Sequence, residues 1–258
     1  MAGGKRLPRR LDHGEEATLV EHLGELRARL VISLAAIGLA FAVAYAFHER
    51  LIEWLIEPLP DDKQLVTLGV TEPFFTSLKV SFWAGVALAL PIVLYQLWSF
   101  LAPAVEQHTQ RVVSLFVVVA TGLFAAGVAF GYYVVLPKAL DFLTNYDENL
   151  YDTQIRASYY YSFVLVALLG MALMFEMPIF VLALVRLRVL SADRLRRNRR
   201  LGVFLVVLVA VLLPTVDPVS LAFEVVPLLI LFEASIWLAV FFERRWEAQW
   251  ADEAQAEL

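Results

Sequence analysis

Between residues 159 and 185 the chain reads YYYSFVLVALLGMALMFEMPIFVLALV, 27 residues with one charge, Glu176. As an α-helix rising 1.5 Å per residue it would be about 40 Å long. About 20 predominantly apolar residues suffice to cross a hydrocarbon core of roughly 30 Å, so this stretch reads as a membrane span. Working outward, the same pattern recurs at Leu30 to Phe47, Val80 to Phe100, Val112 to Leu136, Leu201 to Leu213 and Val219 to Phe242. The fold class expected is therefore all-α, a polytopic membrane protein with a six-helix transmembrane bundle whose last two helices are short. The fifth segment has only 13 residues before Pro214 and Pro218, and reaches about 20 Å. A single re-entrant hairpin made of segments five and six is the alternative. Against it, the basic loop before Leu201 and the pair Arg244 and Arg245 look like two anchors on one face.

Composition agrees. Of 258 residues 60% are apolar and 18% charged, with a mean hydropathy of +0.69, against roughly 45–50% and about 25% in soluble domains. A soluble enzyme is excluded on that ground. A net charge of −5 with no basic groove leaves no footprint for nucleic acid. With no cysteine, disulfides, zinc knuckles, iron–sulfur clusters and thiol nucleophiles drop out. The first 29 residues are polar and carry no short apolar core with a cleavage site, so no cleavable signal peptide is expected. Orientation follows from Lys and Arg on alternate sides. With the N-terminus inside, 16 lie on the cytoplasmic side and five, Arg50, Lys63, Lys79, Lys138 and Arg156, on the other. The expected organisation is a cytoplasmic N-tail (1–17), a membrane domain (18–245) with both ends inside, and an acidic, disordered cytoplasmic tail (246–258).

Ahead of the first span, Thr18 and Glu21 fit a capping box, and Leu19, Leu23, Leu26 and Leu30 share a helical stripe, so an amphipathic helix should run into that span. Leu51, Ile52, Leu55, Ile56 and Leu59 predict a second short helix that Pro58 ends or kinks. The four histidines lie in or beside connections, and no two-His metal spacing, glycine-rich phosphate loop or Ser-His arrangement is present. No catalytic activity, metal or cofactor is expected.

Acids in apolar surroundings carry the information. Glu176 sits inside the fourth span, where an ionised carboxylate costs about 3 kcal/mol or more. It is either a neutral group bonded to carbonyls freed by Pro178, or a proton site, or a polar contact for a passing or docking segment. Glu224 and Glu233 in the last span are nine residues apart and face different ways. Glu224 lies near the mouth, where hydration is one reading, and Glu233 is expected to face the bundle. Glu21, Glu25 and Arg29 form an i, i+4, i+8 row. It is either a surface pair of Glu25 with Arg29 or an acidic patch that receives a basic peptide.

Several stretches together resemble TatC, the multispanning receptor component of the twin-arginine protein translocase. They are EHLGELRARL (21–30), EPFFT (72–76), LPIVLYQLWSFLAPA (90–104), FGYYVVLP (130–137), FEMP (175–178) and DPVS (217–220). The resemblance implies six spans with both termini inside the cell membrane. It also implies binding of the twin-arginine signal peptides of folded precursors, single-span TatA/TatB-like partners, assembly into homo- or hetero-oligomers, and transport driven by the proton-motive force. It places a signal-peptide acceptor on Glu25, next to Arg27. The family's second acid falls on Thr109, nine residues after Phe100, and Glu106 is the candidate substitute. Phe100, Pro103 and Pro58 match positions that shape the binding region and fold. Glu176 matches the family's intramembrane glutamate. A family glutamine early in the last span is Leu221 here, with Glu224 one turn on as its replacement in partner contact. The rival reading is a proton- or ion-coupled small-solute carrier using Glu176 and Glu224, against which stands the lack of inverted-repeat similarity.

Overall fold

The structure, a computed structural model, describes residues 19–101, 109–146, 150, 154–186, 189–212 and 218–256. The chain starts on α1 (Leu19–Ala46), a single helix of 28 residues, so the amphipathic stretch and the first span are continuous. Thr18 lies outside the described residues, as does the side chain of Glu21. After Phe47 the chain turns into α2 (His48–Ile56). It stops two residues before Pro58, as the absence of a proline N–H requires, with Leu55 and Leu59 buried. The strand β1 (Leu65–Val66) leads into α3 (Glu72–Leu101).

The third span is a longer rod than expected. α4 (Thr109–Phe130) passes through a π-helical turn, Gly131–Val135, into α5 (Leu136–Asn145). Pro137 does not end this rod, because it occupies the first turn of α5, where a missing N–H costs nothing. The strand β2 (Ile155–Arg156) pairs in parallel with β1, Leu65 opposite Ile155 and Val66 opposite Arg156.

The stretch 159–185 is divided between α6 (Ala157–Phe175) and α7 (Met177–Arg186), with Glu176 at the break. Pro178 supplies no N–H and its ring crowds the preceding turn. The Glu176 N–H instead bonds the Leu173 carbonyl at 3.2 Å, and Ile179 N–H bonds the Glu176 carbonyl at 3.0 Å. A short basic helix, α8 (Ala192–Arg197), is capped by Ser191, whose Oγ accepts the Arg194 N–H at 3.3 Å. Then come α9 (Arg199–Val211) and α10 (Pro218–Ala256).

α9 is as short as expected, but the last helix is not: α10 runs for 39 residues. Its final turns take in residues 246–256, where a disordered tail was expected. The reason is compositional, since the run after Glu243 is rich in Arg, Glu, Ala and Gln and free of Gly and Pro, all good helix formers.

Among the described residues, five helical stretches are long and apolar enough to cross a membrane: Leu23–Ala46, Glu72–Phe100, Ser114–Asn145, Ala157–Arg186 and Leu221–Glu243. The chain is a multi-pass membrane protein. Helix association in lipid gains from close approach of small residues, and two glycines mark where this happens. A Cβ on Gly85 of α3 would lie 2.6 Å from Phe41 Cα on α1, and one on Gly127 of α4 would lie 2.7 Å from Ala172 Cα on α6. One core cluster joins Leu55, Leu59, Val80, Tyr132, Leu140, Tyr160 and Val164. A second joins Val135 and Met171 to Val206 and Ala210 of α9 and Leu228, Phe232 and Ile236 of α10.

Candidate functional site

α1 and α3 run antiparallel, so the start of α1 meets the end of α3. There the Arg29 Nε–H donates to Glu25 Oε1 at 3.0 Å and its Nη1–H to Gln96 Oε1 of α3 at 3.3 Å. The pair suggested by i, i+4 spacing is formed, and it is tied to a second helix. Glu25 remains accessible, with 29% of its side chain exposed, and Arg27 is exposed. Phe100, half-buried, lies one turn beyond Gln96 on the same face of α3. Thr109 opens α4, but its side chain is not among those described, and Pro103 and Glu106 lie outside the described residues. Of the expected peptide-binding set, Glu25 and Phe100 lie where α1 and α3 meet, whereas Arg27, two residues on from Glu25, points to another side of α1. The basic helix α8 belongs to this same end, because α6 and α7 descend from β2 at the opposite one.

Inside the bundle the acids are covered. Glu176 is 2% exposed at the α6–α7 break, and no described donor reaches either carboxylate oxygen. Glu224 is 0% exposed, one turn before Leu228 on the buried face of α10. Glu233 departs from expectation. It does not face the bundle core but pairs with Arg199 at the first residue of α9, Nη2 to Oε2 at 3.4 Å, with 40% of its side chain exposed. The buried serine nearby, Ser235, spends its hydroxyl on the carbonyls of Leu231 and Phe232.

The α2 end holds a network not anticipated from the sequence. Glu72, buried at the first residue of α3, accepts three N–H groups. Arg156 Nε lies 2.9 Å and Ser158 N 3.1 Å from Oε1, and Leu68 N lies 3.0 Å from Oε2. Tyr132 stacks on Trp54 at 4.1 Å and donates to the Trp54 carbonyl at 2.6 Å. Tyr160 donates to the Leu55 carbonyl at 2.9 Å. α2 is thus roped to the π-helical turn and to α6, and the connection carrying β1 to that carrying β2. Pro58, half-buried, follows the end of α2 by two residues.

The bundle thus has an accessible carboxylate at one end, a carboxyl at a helix break inside and a hydrogen-bonded cap at the other end. Residues 21–227 match the family described as Sec-independent protein translocase protein (TatC). The chain belongs to the TatC family. It is 35% identical over 231 residues to the TatCd protein of Bacillus subtilis (strain 168), covering 90% of this chain and 95% of the relative. To TatC of Aquifex aeolicus it is 34% identical, covering 88% and 96%. A crystal structure of a twin arginine translocase receptor, TatC, superposes with a TM-score of 0.74 at 32% identity, covering 85% of this chain and 98% of that one. A second, in the detergent DDM, gives 0.75 at 33%, with 84% and 99% covered. As a TatC-family member the chain is a component of a protein translocase, and the small-solute carrier reading falls away.

Proposed function

We propose that this chain is the receptor and core subunit of a twin-arginine translocase in the cytoplasmic membrane, with six spans and both termini on the cytoplasmic side. It binds the twin-arginine signal peptide of folded precursors and recruits single-span TatA/TatB-like partners for export driven by the proton-motive force. The observation that carries the reading is the placement of Glu25 at the accessible start of α1 beside the end of α3. A guanidinium forms forked, charge-assisted hydrogen bonds to such a carboxylate, shorter and stronger than neutral ones.

In this account Glu25 is the main acceptor. Arg27, Phe100 and Pro103 shape the site, and Glu106 stands in for the acid missing at Thr109. Glu176 and Glu224 serve partner helices or the inserted signal peptide. Both are covered by the chain's own helices, so α10 or the α6–α7 break must yield for an incoming helix to reach them. Site-specific crosslinking of a signal peptide at the membrane surface tests the acceptor assignment. Glu25→Ala should reduce it strongly and Glu106→Ala less, while Thr109→Glu should be tolerated or strengthen it. Unchanged crosslinking in Glu25→Ala/Glu106→Ala would overturn the assignment.

A further inference from the structure

Arg29 spends its guanidinium in two directions. Nε–H and Nη2–H both go to a single oxygen of Glu25, Oε1, and Nη1–H goes across to Gln96 Oε1 on α3. An arginine free to choose its geometry commonly meets a carboxylate fork to fork, with one bond to each oxygen. Here the pull toward Gln96 comes with a side-on arrangement, and no described donor reaches Glu25 Oε2. Gln96 suits that task because its amide oxygen accepts from a guanidinium without carrying a charge that would compete with Glu25 for it.

We infer that Arg29, anchored by Gln96, is a positioning residue that holds Glu25 by one oxygen and leaves the other for the guanidinium of an incoming arginine. The inference rests on the reading of Glu25 as the peptide acceptor and adds two residues, on two helices, to that site. It also explains why the intramolecular pair does not close the site: Oε2 keeps its lone pairs while Oε1 is satisfied. A lysine at position 29 cannot reproduce the arrangement, since one ammonium has no rigid fork to span Glu25 and Gln96 together.

The experiment uses the full chain in lipid nanodiscs and a labelled synthetic signal peptide bearing either two arginines or two lysines, with affinity read by fluorescence anisotropy. Arg29→Gln should weaken the twin-arginine peptide about tenfold, the scale of one lost charge-assisted contact. Gln96→Leu and Arg29→Lys should weaken it less, and binding of the twin-lysine peptide should not change in any of them. On a Glu25→Gln background, Gln96→Leu should have no further effect. A merely structural role for Gln96 would lower affinity equally on both backgrounds and for both peptides, and that result overturns the proposal. If Glu25→Gln itself leaves affinity unchanged, the acceptor reading fails. If Glu25→Gln weakens binding while Arg29→Gln leaves it unchanged or tightens it, the acceptor reading stands and the positioning role fails, with tighter binding marking Arg29 as a competitor.

Discussion

Glu72 Oε1 accepts the Arg156 Nε–H at 2.9 Å across 84 residues of sequence, and the same carboxylate holds the N–H groups of Leu68 and Ser158. Only 4% of the Glu72 side chain is exposed, against 36% for Arg156. Removing the carboxylate therefore strands two backbone donors and one cation. Glu72→Ala should lower the thermal midpoint, since a buried donor left without its acceptor is destabilising. Arg156→Gln, which leaves both backbone bonds in place, should cost less. Thermal midpoints of the purified variants in detergent check the order. Equal midpoints for Glu72→Ala and the unmodified chain would contradict the role of Glu72 as the tie between the two connections.

Two glycines separate a packing requirement from helix propensity. A Cβ on Gly127 would meet Ala172 Cα at 2.7 Å, whereas one on Gly122, also in α4, meets nothing within 4 Å. Gly122→Ala should be neutral or stabilising by about 0.5–1 kcal/mol, the ordinary helix gain. Gly127→Ala should lower the thermal midpoint because α4 and α6 must move apart. A fall for Gly122→Ala as large as that for Gly127→Ala would remove the close-approach account.

The five long apolar stretches were legible in the sequence because each is a local property: an apolar run of sufficient length reads the same whatever it packs against. The break at Glu176 was signalled by Pro178, and the pairing of Glu25 with Arg29 by i, i+4 spacing. The network around Glu72 was not legible. Its partners Leu68 and Arg156 lie on connections that meet only when β1 and β2 pair, and two-residue strands leave no periodicity to read. The donations from Tyr132 and Tyr160 go to backbone carbonyls of α2, which every residue has. Glu233 misled because depth along the helix was read without its azimuth: Phe232 and Ile236 face the core, and Glu233 turns to Arg199.

Six spans with both ends inside predict a labelling pattern in this cysteine-free chain. In that arrangement the basic residues would be distributed 16 to five across the two sides, a bias that sets orientation. Single cysteines at Asp62 and Thr215 should react with an impermeant maleimide on intact cells, and those at Gly4 and Asn198 only after permeabilisation. Labelling of Asn198 from outside would sink the arrangement.

Glu176 distinguishes docking from proton handling. Its buried carboxyl is tolerable in lipid when a polar group on an arriving helix can bond it, a contact worth about 1–2 kcal/mol. Glu176→Gln keeps the hydrogen-bonding shape and should retain most export, while Glu176→Leu should impair export and leave signal-peptide binding near Glu25 intact. Export of a twin-arginine reporter at equal membrane abundance measures both. Equal loss in the two variants would point to protonation instead, because Gln cannot titrate.

The central claim, that this chain recognises paired arginines through the carboxylate at the start of α1, is tested most directly by titrating the purified chain in nanodiscs with two signal peptides that differ only in having two arginines or two lysines. The account predicts tight binding of the arginine peptide, clear discrimination against the lysine peptide, and loss of that discrimination in Glu25→Ala. Equal affinity for the two peptides, or discrimination that survives Glu25→Ala, would contradict it.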